Sequence, residues 1–143
     1  MSVESILKKK GTDVATIAPD ASVKRAADWL RAKNIGALVV TRGDEVLGLI
    51  SEREIVLAIS RHGETATSMS VSEIMRHGVI TVSPAETVSH VMDLMTRHRV
   101  RHMPVVHDGK LAGIISIGDV VQHRLDDLEL ETNVLRDARV ASR

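Results

Sequence analysis

Cysteine, phenylalanine and tyrosine are absent from this 143-residue sequence, and Trp29 is its single aromatic residue. Without cysteine there can be no disulfide, no thiolate metal site and no cysteine nucleophile. With a single aromatic ring the core must be aliphatic, and nucleic-acid bases lack a stacking platform. Charge of one sign is also lacking, since 19 basic residues balance 19 acidic ones. That balance argues against a general polyanion binder, and no nucleic-acid partner is expected. No apolar run approaches 18 residues, so no membrane span is expected. Lys8, Lys9 and Lys10 are followed by no long apolar stretch, so no secretory signal is read and a cytoplasmic location is the expectation. The seven histidines suggest no metal site, because His98 and His102 straddle a helix end rather than share one helical face. There is no Ser-His-Asp pattern with a nucleophile elbow, so catalysis is not expected.

What the chain does contain is a repeat. Gly113-Ile114-Ile115-Ser116-Ile117-Gly118-Asp119 reads as a strand end, a turn and a helix start, with a hydroxyl three residues before an acid. On its own this would be a helix cap. Gly48-Leu49-Ile50-Ser51-Glu52-Arg53-Glu54 has the same pattern 65 residues earlier. At that offset residues 16–55 lie on the second half without a gap: Thr16 meets Thr81, Pro19 meets Pro84, Val40 meets Val105 and Ser51 meets Ser116. Upstream, Ile6-Leu7 resembles Ile74-Met75 at an offset of 68.

Each copy follows one local grammar. Short β-prone runs, residues 14–17 and 79–82, close at Pro19 and Pro84. A helix follows, with a stripe of Val23, Ala26, Ala27 and Leu30 in one copy and Val88, Val91, Met92 and Met95 in the other. Two strands then flank Gly43-Asp44 or Asp108-Gly109, the latter a strong hairpin signal. A second helix begins near Glu54 or Asp119. The expected fold is α/β, of the mixed α+β kind: two β-α-β-β-α units packed on each other as a pseudo-two-fold pair. Residues 1–66 form the first unit with its lead-in, 67–125 the second, and 126–143 a C-terminal helix. Residues 60–68, rich in Ser, Thr and Gly, are the linker. The apolar second helix, Ile55-Val56-Leu57-Ala58-Ile59, has more apolar surface than one sheet can cover and points to a homodimer. Trp29 sits either at that interface or at the core edge. The last helix carries Val121, Leu125, Leu128 and Leu135 near one face, and either docks on its own domain or contacts a second copy.

The duplicated unit resembles the CBS domain, named from cystathionine β-synthase, on three matches in the second copy. These are Thr81-Val82-Ser83-Pro84, then Val100-Arg101-His102-Met103-Pro104-Val105-Val106, then residues 113–119. The resemblance covers roughly residues 3–125. It implies a tandem pair, or Bateman module, whose inter-unit clefts bind adenosine ligands (AMP, ADP, ATP, NAD(H) or S-adenosylmethionine) and whose pairs form dimers. Asp119 is similar to the family's ribose-binding acid and Ser116 to its hydroxyl partner. A carboxylate at a helix start can accept both ribose hydroxyls, and helix N-termini suit phosphate. The resemblance sets adenine against Thr81, Val82, His102, Met103 and Pro104, and in the first copy against Thr16, Ile17, Ala37 and Leu38, with Ser51 and Glu54 as the first motif. His98 and Arg99 lie where the family holds phosphates, and Arg53 is a further phosphate candidate. The basic run at 97–102 reads either as that or as a solvated helix end. The second copy, with the shorter Asp119, is expected to hold the tighter site. The reading is a ligand-sensing regulatory module with an unknown regulated partner. The alternative is a ligand-free interaction and dimerisation module.

Overall fold

A computed structural model describes residues 1–141, and the final two residues of the expected C-terminal helix lie outside that range. The first copy gives β1 (Thr16–Ile17), α2 (Val23–Lys33), β2 (Ala37–Arg42), β3 (Glu45–Ser51) and α3 (Glu52–His62), preceded by α1 (Val3–Lys10). The second gives α4 (Val71–Ile74), α5 (Val88–His98), β4 (His102–His107), β5 (Lys110–Ser116) and α6 (Ile117–Ala141). Both hairpins form as expected. Asp108 and Gly109 take φ of 51° and 75°, the paired positive values of a tight hairpin turn. In the first sheet β1 runs parallel to β2, with Thr16 opposite Val39, and β2 is antiparallel to β3.

The expected strand over 79–82 shrinks to a single bridge, Val82 to Val105. The cause is one residue. In the first copy Val39 N–H donates to the Ala15 carbonyl at 3.1 Å. At the same place in the repeat stands Pro104, which has no N–H to donate. Two further expectations change. Met92 is exposed, because α5 turns Val88, Val91 and Met95 inward and leaves the i+4 position at the stripe's edge. The linker is a 3-10 segment, Gly63–Ser68, packed on α3 and α2 through fully buried Ala66.

The lead-in segments are exchanged between the halves. Val3, Ile6 and Leu7 of α1 pack into the second copy's core with Val91, Met95, Met103 and Ile115. Val71 and Met75 pack reciprocally into the first core with Ala26, Leu38, Val40 and Ile50. The backbone follows the same rule: Val3 N–H donates to Glu86 O, and Val71 N–H to Ala21 O. This crossing explains the motif glycines. A Cβ on Gly113 would lie 2.7 Å from Leu7 Cδ2, and one on Gly48 would lie 2.6 Å from Met75 Sδ and 2.7 Å from the Arg76 carbonyl oxygen. Each glycine is where the other half's lead-in passes over the strand.

Candidate functional site

β3 and β5 meet at the seam between the halves, and each ends in the start of a helix. The two Ser-x-x-acid motifs therefore sit at the ends of neighbouring strands, and each opens into a cleft. At the second motif the cap is reciprocal. Asp119 N–H donates to Ser116 Oγ at 3.1 Å, and Ser116 N–H donates to Asp119 Oδ2 at 2.8 Å. At the first motif the longer Glu54 instead accepts from the Ser51 hydroxyl, at 2.8 Å to Oε2.

The first cleft has a volume of about 580 Å³. It is lined by Ser51, Glu52, Arg53 and Glu54 of the first motif, and by Arg76, His77, Gly78, Val79 and Ile80 on the chain leaving α4. His98, Arg99, Val100, Arg101 and His102 close it from the second copy. Four arginines and three histidines thus face two carboxylates across one cavity. Arg99 holds φ 54° and ψ 42° as the C-cap of α5, a left-handed conformation that a branched-off side chain adopts at a cost.

The second cleft, of about 670 Å³, lies on the other side of Gly36 and His102, which line both. Its walls include Lys10, Asp13, Val14, Ala15, Lys33, Ala37, Ile114 and Ser116. Here Lys10, at the end of α1, donates to Asp119 Oδ2 at 2.6 Å and to the Ile114 carbonyl at 2.8 Å. Burial pushes the Asp119 carboxyl up, but the Lys10 ammonium and the Ser116 N–H and hydroxyl outweigh it and hold it below the usual carboxylate range. His102 is lowered, first by burial and then by Lys10, with Asp119 opposing. A Cβ on Gly36 would approach His102 Nε2 to 3.3 Å, so the ring lies directly over the glycine.

The expected site residues fall into four groups. Ser51, Arg53, Glu54, His98, Arg99 and His102 come together in the first cleft. Ser116, Ala37 and His102 line the second, with Asp119 reached through Lys10. Thr16 and Ile17 line neither; they border a separate hollow beside Trp29. Leu38, Val82, Met103 and Pro104 are buried in the cores and Thr81 is exposed, so none of these five lines a cleft. Asp119 and His98-Arg99, grouped by the repeat, are on different clefts. Arg76 and Lys10 had no signal in the sequence, since each reaches its cleft only through the lead-in exchange. Among the described residues no cluster of His, Asp or Glu could hold a metal ion, and no helix is long and apolar enough to cross a membrane.

A duplicated α+β unit whose halves exchange lead-ins and enclose paired clefts defines a class of tandem two-unit module. The comparison with known families makes this specific: the CBS domain matches twice, at residues 3–61 and 71–126, and the chain belongs to that family. A crystal structure of a CBS-domain containing protein from Agrobacterium tumefaciens superposes with a TM-score of 0.84 at 44% identity, covering 87% of this chain and 99% of that one. The CBS domain pair of protein MJ0100, solved with 5′-methylthioadenosine and S-adenosyl-L-methionine, superposes at 0.79 with 26% identity, over 89% and 98% of the two chains. The mitochondrial CBS domain-containing protein CBSX3 of Arabidopsis thaliana is 35% identical over 130 residues, which span 85% of this chain and 63% of that protein.

Proposed function

We propose that this chain is a regulatory module that senses an adenine nucleotide, and that the first cleft is its site. The observation that carries this is the convergence of Arg53, Arg76, Arg99 and Arg101 with the Ser51–Glu54 pair. Arginine forks match phosphate oxygens, and a carboxylate at a helix start matches ribose hydroxyls. AMP, ADP, ATP and NAD(H) share those features. The MJ0100 complex supports an adenosine ligand in a pair of this fold, and the basic shell here favours the phosphorylated members. A ligand spanning both halves would alter their packing, and so signal to a partner without catalysis. The exposed Val56, Leu57 and Ile59 of α3 and the outer face of α6 support a homodimer.

The test is calorimetric titration with AMP, ADP, ATP, NADH and 5′-methylthioadenosine. The phosphorylated ligands should bind more tightly than methylthioadenosine. Arg99→Ala should weaken them by roughly tenfold to 150-fold, the value of one charge-assisted hydrogen bond. Equal binding of methylthioadenosine would refute the phosphate assignment. Absence of binding at millimolar concentration would leave the ligand-free dimerisation module. That second reading draws on the Lys10–Asp119 pair, which already occupies the acid of the second motif.

A further inference from the structure

α6 continues well past the globule and carries two stripes, one docked and one exposed and apolar. One packs on the chain's own globule: Val120 enters the core, and the half-buried His123 and Asp127, a polar pair, follow it along the same face. Leu130 and Val134 continue it beyond the globule. The other comprises Val121, Leu125, Leu128 and Leu135, which are 49%, 54%, 44% and 67% exposed. Its spacing, with Thr132 between, alternates four and three residues, the a/d register of a coiled coil. At about 100° per residue the centres of the two stripes lie roughly 140° apart, so the second is exposed while the first is docked.

We infer that this second stripe pairs α6 with α6 of a second copy as a parallel, in-register two-stranded coiled coil. The flanking charges decide both partner and direction. With Leu125 and Thr132 at a, the g positions are Arg124 and Glu131, and the e positions are Glu129 and Arg136. In a parallel pair each g residue faces the e residue five positions on in the other helix. Arg124 then meets the partner's Glu129, and Glu131 meets the partner's Arg136, so all four contacts of the symmetric dimer are attractive. The antiparallel arrangement that sets Arg124 against Glu131 keeps only two such contacts and leaves Glu129 facing Gln122. The seam is little more than two heptads long, so it supplements the dimer face of α3 rather than replacing it. The inference deepens the homodimer reading and is independent of the ligand.

The absence of cysteine makes the test direct. In the full-length protein, Leu128→Cys and Leu135→Cys should each form a covalent dimer under mild oxidation, because identical d positions face each other only in parallel register. Val134→Cys, equally exposed on the other stripe, should not. Arg124→Glu should weaken the dimer by roughly fivefold in sedimentation, given a few tenths to 1 kcal/mol for each of two exposed pairs. Glu129→Arg on that background should restore it. Rescue by Glu131→Arg instead, or cross-linking at Val134→Cys but not at Leu128→Cys, overturns the arrangement. A dimer that sediments normally but cross-links at neither seam position leaves the α3 interface standing and refutes the coiled coil.

Discussion

Replacing Lys10 with methionine isolates the ion pair that joins α1 to the second motif. Methionine keeps most of the aliphatic stem and removes the ammonium, so the core contacts of Ile6 and Leu7 one turn earlier are undisturbed. Lys10 donates to Asp119 and to Ile114 O, and about a quarter to a third of each charged side chain is exposed. A charge-assisted hydrogen bond is worth about 1.5–3 kcal/mol, and partial exposure brings the expected loss to about 1–2 kcal/mol. For a domain of this size that lowers Tm by roughly 3–8 °C. The sign with pH follows from Asp119. Its folded pKa is depressed from 3.8, so its contribution is fully present above that value and is lost as pH falls through the folded value. The deficit should therefore be complete at pH 7 and shrink below pH 4. Thermal unfolding of Lys10→Met, Asp119→Asn and the double variant closes a cycle whose coupling should be about 1–2 kcal/mol. Additive single variants, or a Lys10→Met deficit that persists undiminished at pH 3, would show that the ammonium is solvated and that the pair does not hold α1 in place.

Gly48→Ala should cost roughly 2–3 kcal/mol and Gly113→Ala about 1 kcal/mol in chemical denaturation, because the first meets the rigid Arg76 carbonyl and the second only the flexible end of Leu7. Arg99→Gly should raise stability by about 1 kcal/mol by relieving a left-handed arginine, while titration shows weaker nucleotide binding. His102 is depressed below 6.5 by burial and by Lys10, so stability is full above 6.5 and falls as pH drops from there toward the folded value; His102→Gln should flatten the unfolding profile in that window.

The repeat made the units legible because each rests on local chemistry. Ser22 and Thr87 cap α2 and α5 through hydrogen bonds to residues three ahead, and Asp108-Gly109 turns a hairpin with its own φ values. Composition and spacing say nothing about which half a segment packs on. Leu7 against Gly113 and Lys10 against Asp119 join residues more than a hundred positions apart, and nothing in either neighbourhood requires the other. The candidate site was legible residue by residue but not as a grouping. His98 and Arg99 close the helix that leads into the second motif's own hairpin, yet the fold presents them to Glu54. Met103 and Leu38 share strands with cleft residues, but alternation along a strand turns them into the core, and Val82, held by a single bridge, is buried with them.

The exchange also explains why two aligned copies enclose unlike clefts. Each cleft takes its motif from one half and its opposite wall from the other, so a difference between the copies is felt across the seam. At the 65-residue offset, Lys33, Asn34, Gly36 and Ala37 of the first copy stand where the second has His98, Arg99, Arg101 and His102. All four of the latter line the first cleft, while Lys33, Gly36 and Ala37 line the second. The lead-ins reinforce the contrast. At their offset of 68, Lys10 falls on Gly78, which lines the first cleft and has no side chain to reach Glu54. One cleft thus concentrates four arginines beside an acid that, among the described residues, pairs with a serine. The other satisfies its acid internally and ties it to the N-terminal helix. A ligand competing for Asp119 would have to displace Lys10, whereas Glu54 is bordered by Arg53, Arg76, Arg99 and Arg101 in the first cleft. His102 borders both spaces, so the imidazole that packs against Gly36 and feels Lys10 from the second cleft is also a wall of the first.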